Sequence, residues 1–232
     1  MNKTVIRDCT IYEGDCREML AVLEPVDLVV TDPPYGCNYK THCRTVSVSP
    51  DILANDDRPH LEFVPPIVNA VKSDSAVYLC TRFAEFSLWE QALKDAGATV
   101  KTTIVWDKGN RTAGDLKGDF GNQVELLLFA HVGRPMLRQG RPSNLWAIPR
   151  EPASLHPTPK PVELFRRCIL NSSDVGDLVL DPFLGSGTTA VACILTGRRF
   201  VGCEIDSRYF DLSCERIEKT YRELDSQLPG LV

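Results

Sequence analysis

The sequence lacks the features that would place it in a membrane, outside the cell or around a structural metal. No apolar run is long enough to cross a bilayer, and no signal-peptide pattern opens the chain. Its nine cysteines include no Cys-x-x-Cys pair. Cys37, His42 and Cys43 lie near one another, but no second ligand pair follows at zinc spacing. We therefore expect a cytoplasmic protein with reduced thiols, without a membrane segment and without a metal.

A strong basic charge is also missing. The chain of 232 residues has a formal net charge of −5, which argues mildly against nucleic acid as a partner. Net charge alone does not decide, because a local basic patch can bind phosphate on an acidic protein. With 43% hydrophobic and 25% charged residues, the composition is that of one ordinary globular domain.

A short apolar run, Val26 to Val30, leads into the most informative motif of the chain. The run is rich in β-branched residues and predicts a strand buried on both faces. It is followed by Thr31, Asp32, Pro33, Pro34, Tyr35 and Gly36. Because proline cannot donate to a sheet ladder and disfavours helix in the preceding residue, the strand must stop at Asp32. An acid, two carbonyls and an aromatic ring then stand at the carboxyl end of a strand, where open α/β sheets bind ligands.

This arrangement suits a planar group that carries an amine. The Asp32 carboxylate and a fixed carbonyl at Pro33 can accept both protons of an NH2 group, and the Tyr35 ring can stack on its plane. For the exocyclic amine of a nucleobase, such acceptors favour a pyramidal nitrogen whose lone pair is available to an electrophile. The simpler interpretation is a strand and turn with an incidental acid.

A second motif begins with the predicted strand Leu178 to Leu180. An acid, a glycine turn and the start of an apolar helix follow as Asp181, Pro182, Phe183, Leu184, Gly185, Ser186, Gly187, Thr188 and Thr189. Glycines allow close backbone approach, and the free N–H groups of a helix start attract an anion. The motif has neither the lysine of a Walker loop nor the third glycine of a dinucleotide fingerprint. An acid before the glycines fits a ligand with an amino group and a carboxylate better than a pyrophosphate.

Acids also end two other predicted strands. Phe200 to Cys203 is followed by Glu204 and Asp206, at the position where such sheets bind ribose hydroxyls. The strand Cys9 to Asp15 ends in an acid that either caps the helix beginning at Cys16 or accepts the amino group of an adenine. A glycine cradle, a ribose acid and an amino acid moiety in place of phosphate together point to S-adenosylmethionine.

The helix predicted from Val162 has a proline-rich entry, His156, Pro157, Thr158, Pro159, Lys160 and Pro161. Pro161 suits the first helical position, and Lys160 could reach a carboxylate. A plain helix entry is the simpler interpretation.

Three polar stretches without clear periodicity offer surfaces for a partner. Gly36 to Pro59 is too long for a routine connection. Lys108 to Asn122 and Gly133 to Pro142 are shorter. The candidate nucleic-acid contacts on the three stretches are Lys40, Arg44, Lys108, Arg111, Lys117, Arg138 and Arg141. Charge patterning alone leaves open whether these are contact surfaces or solvated loops.

The remaining chain predicts alternating helices and strands. Further helices are expected over Cys16–Leu23, His60–Lys72, Phe83–Gly97, Val162–Leu170 and Ser207–Tyr221, and further strands over Ser75–Thr81, Thr99–Asp107 and Gln123–His131. The tail Asp225 to Val232 is expected to fray.

Four motifs, at residues 31–36, 156–161, 181–189 and 204–206, together resemble the amino-directed DNA methyltransferases. The Asp32 motif precedes the glycine motif, which is similar to the β arrangement of that family, and the resemblance covers about Ile11 to Tyr221. Members methylate adenine at its 6-amino group or cytosine at its 4-amino group. Aspartate at the position of Asp32 resembles the adenine-specific members, since cytosine members more often carry serine there.

The resemblance implies a role for each matched residue. Asp32, Pro33, Pro34 and Tyr35 would hold and stack on the target base. The cofactor would lie against Asp15, Cys16, Asp32, Thr158, Lys160, Asp181, Pro182, Phe183, Gly185, Ser186, Gly187, Thr188, Thr189, Glu204 and Asp206. The family has glutamine more often at the position of Pro159, where this chain departs from the pattern.

The implied fold is a mostly parallel, doubly wound Rossmann-like sheet with permuted motif order, in which the glycine-loop strand lies beside the Asp32 strand. The implied partner is double-stranded DNA with its target base flipped out of the stack. Only residues 36–59 and 108–152 remain to read DNA, so this compact, phage-like chain predicts either a short recognition site or a homodimer. The alternatives are a cytosine-N4 enzyme, a methyltransferase acting on RNA or a protein amide, and a catalytically silent nucleic-acid-binding subunit.

Overall fold

The computed structural model describes residues 1–36, 57–111, 117–118, 120–151 and 160–227. The expectations for Lys40, Arg44 and Thr158, and for the Cys37, His42 and Cys43 group, lie outside these residues. Within them the strands are β1 (Asn2–Ile6), β2 (Cys9–Glu13), β3 (Val26–Thr31), β4 (Val71–Thr81), β5 (Thr99–Asp107), β6 (Val124–Val132), β7 (Leu145–Ala147), β8 (Leu178–Asp181) and β9 (Arg199–Glu204). The helices are α1 (Cys16–Leu20), α2 (Val64–Asn69), α3 (Phe86–Asp95), α4 (Val162–Ser172), α5 (Thr188–Thr196) and α6 (Ser207–Gln227), with a 3₁₀ turn at Leu61–Phe63.

These strands form one mixed sheet in the order β1-β2-β9-β8-β3-β4-β6-β5-β7. The central run from β2 to β4 is parallel, whereas β1 and β6 are antiparallel to their neighbours. The expected doubly wound, mostly parallel α/β fold is confirmed. So is the permuted order, because β8 pairs directly with β3 although far from it along the chain.

The apolar run of β3 is buried on both faces, as predicted. Val30 packs in the cluster that includes apolar residues of α4, α5 and α6, and Val29 packs in the cluster that includes residues of α1, α2 and α3. Both valines are fully buried. Helices on the two faces therefore enclose the central strands and leave their carboxyl ends as the open edge.

Some boundaries differ from the sequence prediction. β4 begins at Val71, so the helix expected to reach Lys72 ends at Asn69. The expected fraying from Asp225 is wrong for the residues described, because α6 continues to Gln227. Arg7, in the β1–β2 turn, pairs with Asp225 of this last turn at 2.5 Å. The strands β1 and β7 were not predicted.

The helices in the described ranges are all too short or too polar to span a bilayer. In the same ranges, no group of three or more His, Cys, Asp or Glu side chains is placed to hold a metal ion.

Candidate active site

Two strand ends that are distant in sequence meet at the centre of the sheet. β3 and β8 run parallel, with Leu28 opposite Val179 and Val29 opposite Leu180. Thr31 at the end of β3 donates its hydroxyl to Asp181 at the end of β8, at 2.8 Å between Oγ1 and Oδ1. The predicted juxtaposition of the two motifs is confirmed, since both open onto the same edge of the sheet.

Asp181 is part of the framework of this edge. It is 2% exposed and accepts hydrogen bonds from the Thr31 and Thr189 hydroxyls and from the Phe183 N–H. Burial raises its pKa to about 6, against the opposing effect of these donors. Asp181 was expected to contact the cofactor; the structure instead uses both of its oxygens to hold the glycine loop to β3.

The glycine loop follows Asp181 and needs glycine at two positions. Gly185 and Gly187 have φ of 54° and 81°, in the left-handed region that strains other residues. A Cβ on Gly187 would lie 3.3 Å from the Ser213 side chain. Leu184 N–H donates to the Cys203 carbonyl at 2.9 Å, which ties the loop to β9. The loop is thus held close against its neighbours, and α5 begins directly after it.

Arg216 of α6 contacts the glycine loop through its guanidinium. This contact was not predicted from the sequence. Its Nη1 lies 3.0 Å from the Ser186 carbonyl, 3.3 Å from the Ser186 hydroxyl and 3.1 Å from the Thr188 hydroxyl. Burial lowers the pKa of Arg216. Ser186 and Thr188 are themselves buried, so their hydroxyls are arranged around this guanidinium. No motif marks Arg216, because it is one of several charged residues along α6.

Glu204 lies beside the loop, as its position after β9 predicted. Its Oε2 accepts the Gly185 N–H at 2.8 Å and its Oε1 accepts the Asp206 N–H at 2.9 Å. Burial raises the pKa of Glu204. Asp206 instead caps α6: it accepts the Arg208 N–H and pairs with the Arg208 guanidinium at 2.8 Å. The acid that faces the glycine loop is therefore Glu204.

Asp15 is the N-cap of α1. It accepts the Arg17 N–H at 2.9 Å and also pairs with the Arg17 side chain, whose hydrogen bonds lower its pKa. Cys16 is buried in the core, and its expected contact with the cofactor stays a prediction. Gly14 N–H donates to the Glu204 carbonyl at 2.8 Å, which brings Asp15 near the end of β9. The cap is confirmed, and a role toward adenine stays a prediction.

The β3 end is organised around Asp32. Tyr35 donates its hydroxyl to Oδ1 of Asp32 at 2.5 Å, and Lys160 Nζ lies 2.6 Å from Oδ2. Lys160 also lies 3.2 Å from the Tyr35 hydroxyl. Lys160 is buried and pairs with Glu125 as well, at 3.4 Å; its expected place near the cofactor carboxylate stays a prediction. Burial opposes its charge, but these two carboxylates outweigh burial and raise the pKa of Lys160.

Lys108 corrects another expectation. It was a candidate DNA contact, but it is 3% exposed and pairs with Glu125 at 3.1 Å. Burial opposes the charge of Glu125, yet Lys160 and Lys108 hold its pKa below the usual range. Sequence reasoning missed Glu125 because an acid inside a strand with alternating polarity carries no motif.

The other candidate DNA contacts lie on segments that begin at two different edges of the sheet. β5 ends at the same edge as β3, so Arg111 and Lys117 lie on a connection that begins beside the site, and both are exposed. β6 runs the other way, and Val132 at its end pairs with Ser75 near the start of β4. The segment after β6 therefore begins at the opposite edge.

Arg138 belongs to that opposite edge. It pairs with Asp174, which precedes β8, at 2.8 Å, and its N–H donates to the Asn171 carbonyl. The expected DNA contact of Arg138 is corrected, because its charge is used to hold this segment against the end of α4. Arg141 is exposed and its role stays a prediction.

These features define a class of protein. A doubly wound sheet with a glycine loop after one central strand, an acid beside the loop and a paired carboxylate after the neighbouring strand is the arrangement of an S-adenosylmethionine-dependent methyltransferase.

Comparison with known proteins narrows the class. The DNA methylase family model for N6- and N4-directed enzymes matches residues 135–215. DNA adenine methyltransferase YhdJ of Escherichia coli K12 is 27% identical over 247 residues, which cover 90% of this chain and 82% of YhdJ. The M1.HpyAVI–SAM complex has a TM-score of 0.70 and 26% identity and covers 90% of this chain and 99% of that one. The cytosine-N4-specific PvuII DNA methyltransferase has a TM-score of 0.72 over 92% of this chain and 91% of its own, but at 16% identity this shows the fold alone. The chain is therefore similar to the N6/N4 DNA methyltransferases over about 90% of its length, and its cofactor is S-adenosylmethionine.

The residues at the β8 and β9 ends fit this cofactor. A carboxylate such as Glu204 is an acceptor for two ribose hydroxyls, and the start of α5 offers N–H donors to a carboxylate. The backbone of the loop turns with positive φ at Gly185 and Gly187. Because glycine has no side chain, a ligand can approach the backbone closely at these two positions. The donor set therefore matches a ligand that carries a ribose and an amino acid moiety.

Proposed function

We propose that this enzyme transfers a methyl group to the exocyclic 6-amino group of adenine in a base flipped out of duplex DNA. The observation that carries the proposal is the Asp32 carboxylate, held at the tip of β3 directly beside the strand that bears the glycine loop. A carboxylate in that position accepts an N–H of an incoming amine.

In this mechanism the β3 end binds the base. Asp32 and the Pro33 carbonyl accept the two amine protons, and the Tyr35 ring stacks on the base. Pro33 is buried and Pro34 half-buried, so the backbone that carries these acceptors is stiff and fixed. Holding the base in this way turns the transfer into a reaction of prepositioned groups.

S-adenosylmethionine supplies a methyl group on a positively charged sulfur. When bound, the cofactor would give its methyl carbon to the amine nitrogen while the carbon–sulfur bond breaks and the sulfur leaves as a neutral thioether. The nitrogen would become positively charged, and its proton would pass to the Asp32 carboxylate and on to solvent. Asp32 and the Pro33 carbonyl stabilise this developing charge through their hydrogen bonds. Lys160 and the Tyr35 hydroxyl hold the Asp32 carboxylate in place while it does so.

On the cofactor side, we propose that the glycine loop and the start of α5 bind the methionine part. Glu204 binds the ribose and Asp15 lies at the adenine. In this proposal Asp181, Arg216 and Asp206 act through the backbone that they hold rather than by touching the cofactor.

We propose that the connection after β5 contacts DNA near the site. Arg111 and Lys117 are exposed on it, and Phe120 is 93% exposed. Phe83, just after the end of β4, is 88% exposed at the same edge. Cations that meet phosphates and aromatic rings that stack on unpaired bases are typical of nucleic-acid surfaces. We also propose that the single domain reads a short site, either alone or as a homodimer.

Two other functions are weighed against this one. Cytosine-N4 transfer is the activity of the PvuII enzyme, whose likeness concerns the fold alone, whereas YhdJ, with which this chain shares more identity, is an adenine methyltransferase. A silent DNA-binding subunit would have no need for Asp32, Lys160 and the two left-handed glycines, all of which are in place.

The experiment is transfer of labelled methyl from S-adenosylmethionine to mixed-sequence duplex DNA and, in parallel, to RNA, followed by identification of the labelled nucleoside. The expected product is N6-methyl-2′-deoxyadenosine from DNA, and none in an Asp32→Ala control. N4-methylcytosine would overturn the adenine assignment, and label in RNA alone would overturn DNA as substrate. Cofactor binding by calorimetry without any transfer would support the silent subunit.

A further inference from the structure

A chain of alternating charges runs inward from Asp32. Lys160 Nζ lies 2.6 Å from Oδ2 of Asp32 and 3.4 Å from Oε2 of Glu125, and Oε1 of Glu125 lies 3.1 Å from Lys108 Nζ. Asp32 follows β3, Lys160 precedes α4, Glu125 lies in β6 and Lys108 follows β5. Four separate segments therefore meet through these ion pairs, and the four charges sum to zero.

Both ammonium groups of this chain are out of water, at 8% side-chain exposure for Lys160 and 2% for Lys108. A buried ammonium is costly unless a carboxylate compensates it. Burial lowers the pKa of Lys108 even though Glu125 opposes that shift. Glu125 is therefore the counter-charge that both lysines share.

This inference rests on the proposed role of Asp32. We propose that Glu125 is a positioning residue of methyl transfer, which shares the Lys160 ammonium with Asp32 while Lys108 balances its charge. The shared ammonium orients the Asp32 carboxylate without occupying all of its acceptor capacity. The remaining lone pairs stay directed at the incoming amine.

Removal of the Glu125 charge has a definite electrostatic consequence. Two buried ammonium groups then face a single carboxylate, so Lys160 is drawn wholly onto Asp32 and Lys108 has no compensating charge from Glu125. Arg150, 4.0 Å from Glu125 at 39% side-chain exposure, adds a further positive charge at the rim. Among the described residues, the other titratable groups that face the cluster are the Tyr35 hydroxyl and the Cys80 thiol of β4; burial raises the pKa of each and keeps both neutral.

The test is Glu125→Gln, measured by methyl transfer to DNA with kcat, the KM for S-adenosylmethionine and the pH profile recorded together. We expect kcat to fall about tenfold at neutral pH, while KM for the cofactor stays within about twofold. As pH rises, Lys108 loses its proton and the cluster returns to neutrality, so kcat of Glu125→Gln should climb. Wild type should show no such climb, because its cluster is already neutral with Lys108 protonated and Glu125 opposes the lowering of the Lys108 pKa by burial.

The double variant Glu125→Gln/Lys108→Met separates charge from structure. It removes the surplus positive charge, and we expect it to recover at least about threefold of the lost kcat and to lose the pH climb. If Glu125 served the fold alone, adding the second substitution would restore nothing. Asp174→Asn, which removes a carboxylate from an ion pair at the opposite edge, is the matched control and should leave kcat unchanged.

Wild-type kcat in Glu125→Gln at every pH, or a double variant no better than the single one, overturns the proposal. Should Glu125→Gln fail to fold, Glu125→Asp keeps the charge and the double variant keeps neutrality. Both should then stay within about fivefold of wild-type kcat, and a loss beyond about a hundredfold in both would contradict the proposal. Failure of the proposed function can be told apart from failure of this inference. The first shows in the product that the wild type makes, and the second shows only in the kinetics of the variants.

Discussion

The two sides of the active site stabilise their carboxylates by opposite means. At the end of β3, Asp32 lies between the Tyr35 hydroxyl and the Lys160 ammonium. At the end of β8, Asp181 lies between two threonine hydroxyls and a backbone N–H, and Glu204 accepts two backbone N–H groups. One side uses charge pairing, and the other uses neutral hydrogen bonds.

The difference has a physical consequence for each side. Burial without a compensating cation raises the pKa of Asp181 to about 6 and also raises that of Glu204. Lys160, which is flanked by two carboxylates, has a raised pKa and keeps its charge throughout the neutral range. The β3 side therefore places a charged ammonium beside its carboxylate, and the β8 and β9 side is built to hold backbone geometry.

The largest expected effect is a loss of kcat on substitution of Asp32, which alters only the β3 side of the site. Asp32→Asn should lower kcat by about 10³-fold, because it removes an anionic acceptor from the developing charge on the amine. The affinity for S-adenosylmethionine should change little, since the glycine loop and Glu204 are untouched. Single-turnover transfer and calorimetry on the same preparation give the two quantities. A variant that lost cofactor binding and transfer together would show that the two sides do not have separate roles.

The reciprocal change is made at Glu204. Glu204→Gln leaves one acceptor where the Gly185 and Asp206 N–H groups now bond to two oxygens. We expect cofactor affinity to fall about tenfold, with kcat at saturating cofactor within about threefold of wild type. Asp206→Asn, at the start of α6, is the neighbouring control and should affect affinity less. A loss of kcat in Glu204→Gln at saturating cofactor contradicts this division of roles.

A third prediction compares the contribution to DNA binding of cations at the two edges of the sheet. Arg111→Ala/Lys117→Ala removes two exposed cations from the connection at the site edge, and should reduce the slope of log affinity against log salt by about 2. Arg138→Ala, at the opposite edge, should leave the slope unchanged. DNA binding measured across a salt series gives both slopes. Equal slopes for the two variants would place the DNA elsewhere.

The smallest expected effect concerns stability. The folded pKa of Asp181, about 6, lies above its unfolded value, so its favourable contribution is present at low pH and is lost as pH rises through 6. Between about pH 5 and pH 8, the free energy of unfolding of wild type should fall by about 1 kcal/mol more than that of Asp181→Asn. Urea denaturation at both pH values measures this difference. Parallel changes in the two proteins would show that Asp181 is not titrating there.

Local signals in the sequence were enough to predict the central strands and to predict that the two motifs lie side by side. Val26 to Val30 predicts a strand buried on both faces, and the prolines after Asp32 end it where the structure does, within one residue. The glycines of the loop predict positive φ, which Gly185 and Gly187 have.

The errors concern partners that are distant along the chain. Asp181 looks ligand-facing in sequence, but one of its donors, Thr31, comes from 150 residues away. Lys108 lies in a polar, glycine-rich stretch that resembles a solvated surface, yet it is drawn inward by Glu125. The last turn of α6 was expected to fray as a terminal tail, whereas Arg7, near the other end of the chain, pairs with Asp225 in that turn. Pairings of this kind have no local pattern, so they emerge only when the fold brings the segments together.

The most direct test of the account is an experimental structure with a cofactor analogue that carries an amine in place of the methyl sulfonium, bound together with duplex DNA. We expect one base to be flipped out, with its exocyclic amine hydrogen-bonded to Asp32 and lying about 3–4 Å from the amine of the analogue. An analogue bound away from the glycine loop, or a base whose amine does not reach Asp32, would contradict the claim that the β3 and β8 ends form one site.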